Sequence, residues 1–399
     1  MKRRFFYGLF LIVLLCFSFV ALKPIKMLNE IEGDFLTSFE DVSQSNKNHT
    51  FGRFVKSQLK QKEVSVDGQK EEKSEVVFKL FGFIPIKKVK VQMVCDDEFY
   101  VGGVPIGLDI VTDGVVVVGK DENCPRASLK EGDIITQIDG KQIDTLDEIS
   151  EVLPKTEKEI EVKVLRKNKP VREIVKTYRD KNNQIKMGFW VKDDVEGVGT
   201  LTFVNKKTKA YGALGHPLVE NLGQNVIPVS SGRVFECNLI GIDKGKRNSP
   251  GQLKCAFVSS RGSKGSIESN ENFGIKGYLS SVENLVDENK VAKVAGRLAI
   301  KPGKAKLIST ISGIREEYDI EIIKTNYQKT EKEKSFVFRV KDKRLIELSG
   351  GIVQGMSGSP IIQDGRLVGA VTHVFISDPT KGYGISVRRM LDAMPEIIT

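Results

Sequence analysis

The run Gly355-Met356-Ser357-Gly358-Ser359-Pro360-Ile361 has the form G-x-S-G-x-P. Two glycines bracket one serine, and a proline closes the stretch ahead of an apolar segment. Residues without a Cβ let a backbone curl so tightly that neighbouring N–H groups aim at one point. A hydroxyl on such a turn, beside converging N–H groups, suits attack on a carbonyl whose oxygen becomes negative as the bond forms. Downstream, Ile361-Ile362 and Leu367–Val371 flank Asp364-Gly365, a two-residue hairpin signal between apolar runs. The serine turn is therefore predicted to open a β-hairpin.

A serine hydroxyl is a weak nucleophile at neutral pH and needs an adjacent base. The chain has three histidines. His49 lies in a polar stretch and is a poor candidate. His216 stands in Gly212-Ala213-Leu214-Gly215-His216-Pro217, where a glycine before and a proline after imply a special backbone that aims the side chain. His373 lies in the strand-like Val368–Phe375 and by alternation faces either the core or a substrate groove. A third group, a carboxylate, would hold the imidazole in the right tautomer. Asp243, Asp287, Asp319, Asp342 and Asp364 are available. Asp342 precedes Ser357 by 15 residues and Asp243 follows His216 by 27, and spacing does not choose between them. A lysine base, Lys341 or Lys343, is the other chemistry open to the serine.

The chain has 399 residues, enough for two or three domains, and 40% hydrophobic content supports real cores. Its 62 basic and 52 acidic residues leave a net charge of +10. The lysines interleave with glutamates, as in Lys70–Lys73 and Glu331–Lys334, and no aromatic-interleaved basic patch marks a nucleic-acid surface. Cys16, Cys95, Cys124, Cys237 and Cys255 form no C-x-x-C pair and cluster with no histidine, so neither a metal site nor a cofactor is expected. Unpaired thiols are the expected state.

Met1-Lys2-Arg3-Arg4 precedes Phe5–Leu22, an uncharged and almost wholly apolar run of 18 residues, near the lower limit for spanning a bilayer. The basic residues should stay cytoplasmic and the rest should cross, with residues 1–24 acting as an anchor or signal segment. Residues 25–87 read as a polar stalk or linker. From 185 to 399 many short strand candidates with glycine turns and no long amphipathic helix suggest a double β-barrel or sandwich. Gly382–Val387 and Arg388–Met394 read as a last strand and a C-terminal helix.

Residues 88–180 resemble a PDZ domain. The carrying stretches are Leu129-Lys130-Glu131-Gly132-Asp133 and Ile138-Asp139-Gly140-Lys141, then a helix over Leu146–Leu153 and strands over Ile160–Leu165 and Val171–Tyr178. In PDZ domains an x-Φ-G-Φ loop offers backbone N–H groups to a peptide carboxylate, and the peptide adds a strand. Pro105-Ile106-Gly107-Leu108 is the expected loop here, which makes Ile106, Gly107 and Leu108 candidate peptide-binding residues.

The apolar N-terminus, the stalk, the PDZ-like unit, GALGHP and the block GGIVQGMSGSPIIQDGRLVGAVTHVFISDPTKGYGI together resemble the SpoIVB peptidase family, also called stage IV sporulation protein B. The resemblance implies a serine endopeptidase of the chymotrypsin-like clan, mainly β, with a double-barrel peptidase domain. It implies a catalytic triad of His216, Asp342 and Ser357, with an oxyanion hole from the N–H groups of Gly355 and Ser357. It also implies self-cleavage in the stalk and secretion across, or anchoring in, the forespore membrane. There such a peptidase cleaves a membrane-bound regulator, which triggers pro-sigma K processing. The alternative is a membrane-tethered PDZ adaptor with an inert peptidase fold.

Overall fold

The computed structural model describes residues 28, 35–37, 42–43, 46–47, 53–66, 69–93, 98–122, 128–219, 226–296, 299–326 and 334–394. The anchor expected over residues 1–24 lies outside them, as do His49, Cys16, Cys95 and Cys124. Among the described residues no helix is long and apolar enough to cross a membrane.

Residues 53–93 do not form the polar tether expected of the stalk. They form a meander of β1 (Val55–Val66), β2 (Gln69–Leu80) and β3 (Ile84–Met93), to which Phe35–Thr37 adds in parallel. The reason is a short but clean alternation. Val76, Phe78 and Leu80 point to one face of β2 and meet Val89 and Val91 of β3, under Leu28 and Val42. The charged residues of these strands mask that pattern when the stretch is read for composition.

The middle of the chain contributes β4 (Pro105–Lys120), β5 (Ile134–Ile138), helix α1 (Leu146–Val152), β6 (Glu159–Arg166) and β7 (Lys169–Lys176). Thr145 caps α1 with a reciprocal box: its hydroxyl accepts from Glu148, whose carboxylate accepts from the Thr145 N–H. Val115, Val117, Ile135, Ile138, Ile160 and Val162 form the core beneath. The unit does not end at residue 180. The 17-residue strand β8 (Phe189–Asn205) runs antiparallel along most of β4. Beyond it lie β9 (Ala210–Ala213), β10 (Ser231–Asp243), β11 (Gln252–Phe257) and β12 (Gly274–Tyr278). β9 pairs with β8 and β12, and β10 pairs with the other edge of β4 and with β11.

The C-terminal part closes into a six-stranded barrel. Its strands are β13 (Gly303–Ser309), β14 (Glu316–Thr325), β15 (Phe336–Val340), β16 (Pro360–Gln363), β17 (Arg366–Phe375) and β18 (Asp378–Ser386). Around the barrel the order is β13-β14-β15-β18-β17-β16. Helix α2 (Lys343–Ser349) follows β15, and α3 (Val387–Asp392) follows β18. Asp364 and Gly365 both take positive φ, 51° and 76°, as the predicted two-residue hairpin requires. Leu307, Tyr318, Phe336, Phe338, Ile361 and Val371 fill the barrel. The second expected barrel lies around Leu201, Tyr211, Leu214 and Val234: β4, β8, β9 and β12 pair in turn, the Gly265–Leu279 bridge links the end of β12 to Gly265–Ser266, and that pair joins β10, which returns to β4.

Candidate active site

The Ser357 turn enters β16 and packs against β8. Gly355 and Gly358 take φ of 92° and 98°, a region that side chains resist. A Cβ on Gly358 would strike the Thr200 carbonyl. Three carbonyls of the turn are bound by β8. The Thr200 hydroxyl donates to Gly355 O (2.7 Å), the Thr200 N–H donates to Ser357 O (2.8 Å), and the Thr202 hydroxyl donates to Gly358 O (2.8 Å). On the barrel side the Gly358 N–H donates to Val371 O at 2.8 Å. Among the described residues the N–H groups of Gly355 and Ser357 donate to no protein acceptor. They remain available for a developing oxyanion.

His216 reaches the same place from β9. Leu214 and Gly215 both have positive φ, 64° and 71°, so the chain turns sharply just before the imidazole. The Leu214 N–H donates to Thr200 O at 3.2 Å, which fixes the His216 loop to the residue that holds Ser357. Gly215 is needed for close approach, since a Cβ there would sit 3.1 Å from the Thr372 methyl. The Ser357 hydroxyl donates to Thr372 O at 2.7 Å. The next residue, His373, has its ring centroid 5.0 Å from that of His216, tilted by 39°. Ser357, His216 and His373 thus meet where the barrel faces β8.

Burial lowers the pKa of His216, partly offset by its bond to the Pro217 carbonyl. That bond, Nδ1–H to Pro217 O at 2.9 Å, leaves Nε2 as the acceptor. A neutral imidazole with a free Nε2 lone pair can take a proton. His373 is pushed down to about 4 by burial, and further by the charges of His216 and Lys334. Phe375 and Tyr383 stack beside it with centroids 4.4 Å apart, forming an aromatic wall on β17 and β18.

The structure does not bring Asp342 to His216. Asp342 is the N-cap of α2: its carboxylate accepts from the Arg344 N–H (2.9 Å) and the Asp319 N–H (3.2 Å) and pairs with the Arg344 guanidinium (2.9 Å). Arg344 holds its carboxyl below the usual range. His373 aligns with Tyr383, and Tyr383 with Val337, so Asp342 lies five residues further along and two strands away. The physical reason is local: an aspartate at a strand-to-helix junction is a favoured cap. Asp243 pairs with Lys254 at 2.7 Å on the exposed end of β10. Among the described residues no carboxylate ion-pairs with His216, and the Pro217 carbonyl occupies the position where a third group would act. Lys341 pairs with Glu321 at 2.8 Å, and Lys343 is exposed on α2.

The expected carboxylate loop is also displaced. Ile106, Gly107 and Leu108 pair with β8 on one edge and β10 on the other, and both Ile106 and Leu108 are fully buried. A strand with both edges filled cannot take a peptide. The x-Φ-G-Φ pattern recurs at several places in the chain, among them Lys186-Met187-Gly188-Phe189, and the string alone does not single that stretch out. This stretch opens β8 beside a cleft of about 810 Å³ between β8 and α1. Leu146, Ile149, Leu153, Met187, Phe189 and Val191 line it. Gly188 has φ 85°, and among the described residues the buried N–H groups of Met187 and Gly188 donate to no protein acceptor. Lys155, Arg179 and Lys186 stand at this end, and none ion-pairs with a carboxylate among the described residues. Among the described residues the edge of β8 facing α1 carries no strand until β9.

Cys237 and Cys255, on neighbouring strands β10 and β11, are free thiols. Among the described residues no cluster of side chains could hold a metal ion.

A family model described as SpoIVB peptidase S55 matches residues 183–391, more than half of the chain, and one for the PDZ domain matches residues 89–177. Among solved structures, the PDZ domain of the SdrC-like protein from Listeria monocytogenes is 25% identical, over 20% of this chain and 90% of its own, with a TM-score of 0.19. The Rv3671c protease in its inactive form is 12% identical, over 51% of this chain and 85% of its own, with a TM-score of 0.28. No curated protein matches the chain.

Proposed function

This chain belongs to the SpoIVB peptidase S55 family and is a serine peptidase, and on that premise we propose that Ser357 is its nucleophile and His216 its general base. Turning the Ser357 side chain releases its hydroxyl from Thr372 O and offers it to His216 Nε2. As Ser357 Oγ bonds to the substrate carbonyl carbon, the proton passes to His216. The N–H groups of Gly355 and Ser357 take the negative oxygen. His216 then gives its proton to the leaving amine, an acyl-enzyme remains, and water attacks it by the same route. The Pro217 carbonyl holds the tautomer, the part a carboxylate plays elsewhere.

The observation that carries this reading is the clamp of Thr200 and Thr202 on the turn carbonyls, with the N–H groups of Gly355 and Ser357 donating to no protein acceptor among the described residues. Labelling with a fluorophosphonate, followed by peptide mapping, tests it. Modification of Ser357 that disappears in His216→Ala supports the assignment. No modification would leave the tethered adaptor as the better description.

The PDZ unit binds peptide ligands, and we place the carboxylate cradle at Lys186–Phe189, with the peptide lying between α1 and β8. The biological setting is proposed from the resemblance of the whole chain to its family. The peptidase acts beyond the forespore membrane, in the inter-membrane space, cuts itself in the N-terminal region and cuts a membrane-bound regulator that gates pro-sigma K processing. Lys2, Arg3 and Arg4 ahead of the apolar run Phe5–Leu22 support an extracytoplasmic location for the rest.

A further inference from the structure

The peptide cleft and the nucleophile lie along one strand. β8 starts at Phe189 in the cleft, and eleven residues later the Thr200 N–H holds the Ser357 carbonyl. Among the described residues its outer edge pairs with no strand from Phe189 to Glu196. Leu218 and Leu214 pack over the face at Gly197 and Gly199, and the edge itself is taken at Thr200, whose carbonyl accepts from the Leu214 N–H and whose N–H donates to the Ser357 carbonyl. Leu214 and Leu218 flank His216, so the open edge ends at the loop that carries the base.

This geometry fixes a direction. The N–H groups of Met187 and Gly188, which donate to no protein acceptor among the described residues, and the cations Lys155, Arg179 and Lys186, which outnumber Asp121 and Asp180 in the same lining, gather at the start of β8, where they complement a carboxylate. A peptide whose terminal carboxylate sits there and whose backbone pairs with the edge must run antiparallel to β8. Its upstream residues then travel toward His216 and Ser357.

We propose that the preferred substrates are proteins docked by a free C-terminal tail and cut at a set distance before it. The inference rests on the peptidase reading above. A strand advances about 3.3 Å per residue, so eleven residues separate the carboxylate site from the nucleophile turn by on the order of 35 Å, less where the two bulges of β8 bend it. An extended tail cannot span more than about 3.6 Å per residue, so it reaches the serine only with roughly ten residues or more. Cuts should fall about 10–15 residues before the C-terminus.

The test uses the full chain and a mixture of 25-residue peptides of scrambled sequence, with products mapped by mass spectrometry. One set carries free carboxylates and the other C-terminal amides. The expected result is a cluster of cuts about 10–15 residues from the free carboxylate. Amidation should raise KM about tenfold or more and scatter the cuts, and Lys186→Glu should act on the free-acid set in the same way. Scattered cuts in the free-acid set, or equal cutting of acids and amides, would overturn the proposal while Ser357 still reacts with fluorophosphonate. Failure of Ser357 to react would remove the peptidase reading itself, and the proposal with it.

Discussion

Thr200 and Ser357 are joined main chain to main chain, the Thr200 N–H donating to the Ser357 carbonyl at 2.8 Å, while the Thr200 hydroxyl holds the carbonyl of Gly355 two residues earlier. One residue of β8 therefore holds both ends of the Gly355–Ser357 turn. Thr200→Val keeps the shape and the backbone bond and removes only the hydroxyl. The half-buried Gly355 carbonyl then loses its donor, a loss of about 1 kcal/mol. We expect kcat to fall about tenfold or more with KM nearly unchanged, because the turn contributes mainly to the transition state. An unaltered kcat in a folded variant would show that the clamp does not position the N–H groups.

Ser357→Ala and His216→Ala should each lower kcat by about 10⁴-fold or more, and the double variant should lose little beyond either single one, since the pair acts as a unit. Neither change creates a large cavity, so the circular dichroism spectrum and melting temperature should stay close to the parent. Independent, additive losses would argue against a shared step.

Asp342→Ala separates a cap from a catalytic group. As the N-cap of α2, it should cost stability by about 1 kcal/mol on denaturant unfolding and change kcat only a few-fold. A loss of kcat on the scale seen for His216→Ala, in a protein of near-parental stability, would return Asp342 to the catalytic set.

Two histidines make both activity and stability depend on acid. Burial lowers the pKa of His216, so it stays neutral, and competent as a base, to a pH below 6.5. The acid limb of kcat/KM should have its midpoint below that value. His373 titrates near 4 in the folded chain against 6.5 in the unfolded one. Between those values the unfolded state binds more protons, so stability rises with pH through this window and falls on acidification from 6.5 toward about 4. Urea midpoints measured across that range should decline toward the acid side, and His373→Gln should flatten the decline.

The parts of this molecule legible in its sequence are those set by local geometry. Gly355, Gly358 and the Asp364-Gly365 pair demand positive φ wherever they lie, and they announced the nucleophile turn and its hairpin. The short barrel strands and α1 were legible for the same reason. What could not be read was anything decided by strand pairing at a distance. Ile106-Gly107-Leu108 and Met187-Gly188-Phe189 look alike as strings. One is walled in by β8 and β10, and the other opens a cleft, and only the register tells them apart. The third partner of His216 was hidden more deeply, because a backbone carbonyl carries no residue identity at all. Of the N-terminal meander only Phe78–Val94 alternates plainly enough to suggest strand, and earlier its apolar positions are few and its lysines and glutamates many.

β8 leaves the two recognised segments with a shared seam. The PDZ match stops at residue 177, yet the strand that edges its cleft begins at Phe189, inside the peptidase match. A clone ending near residue 180 would leave the upper half of β4 with a bare rim of amide and carbonyl groups, and the remainder would carry a sticky ribbon with nowhere to dock. Such halves should be poorly soluble alone and should re-associate when co-expressed, as pieces of one sheet rather than as two modules on a string.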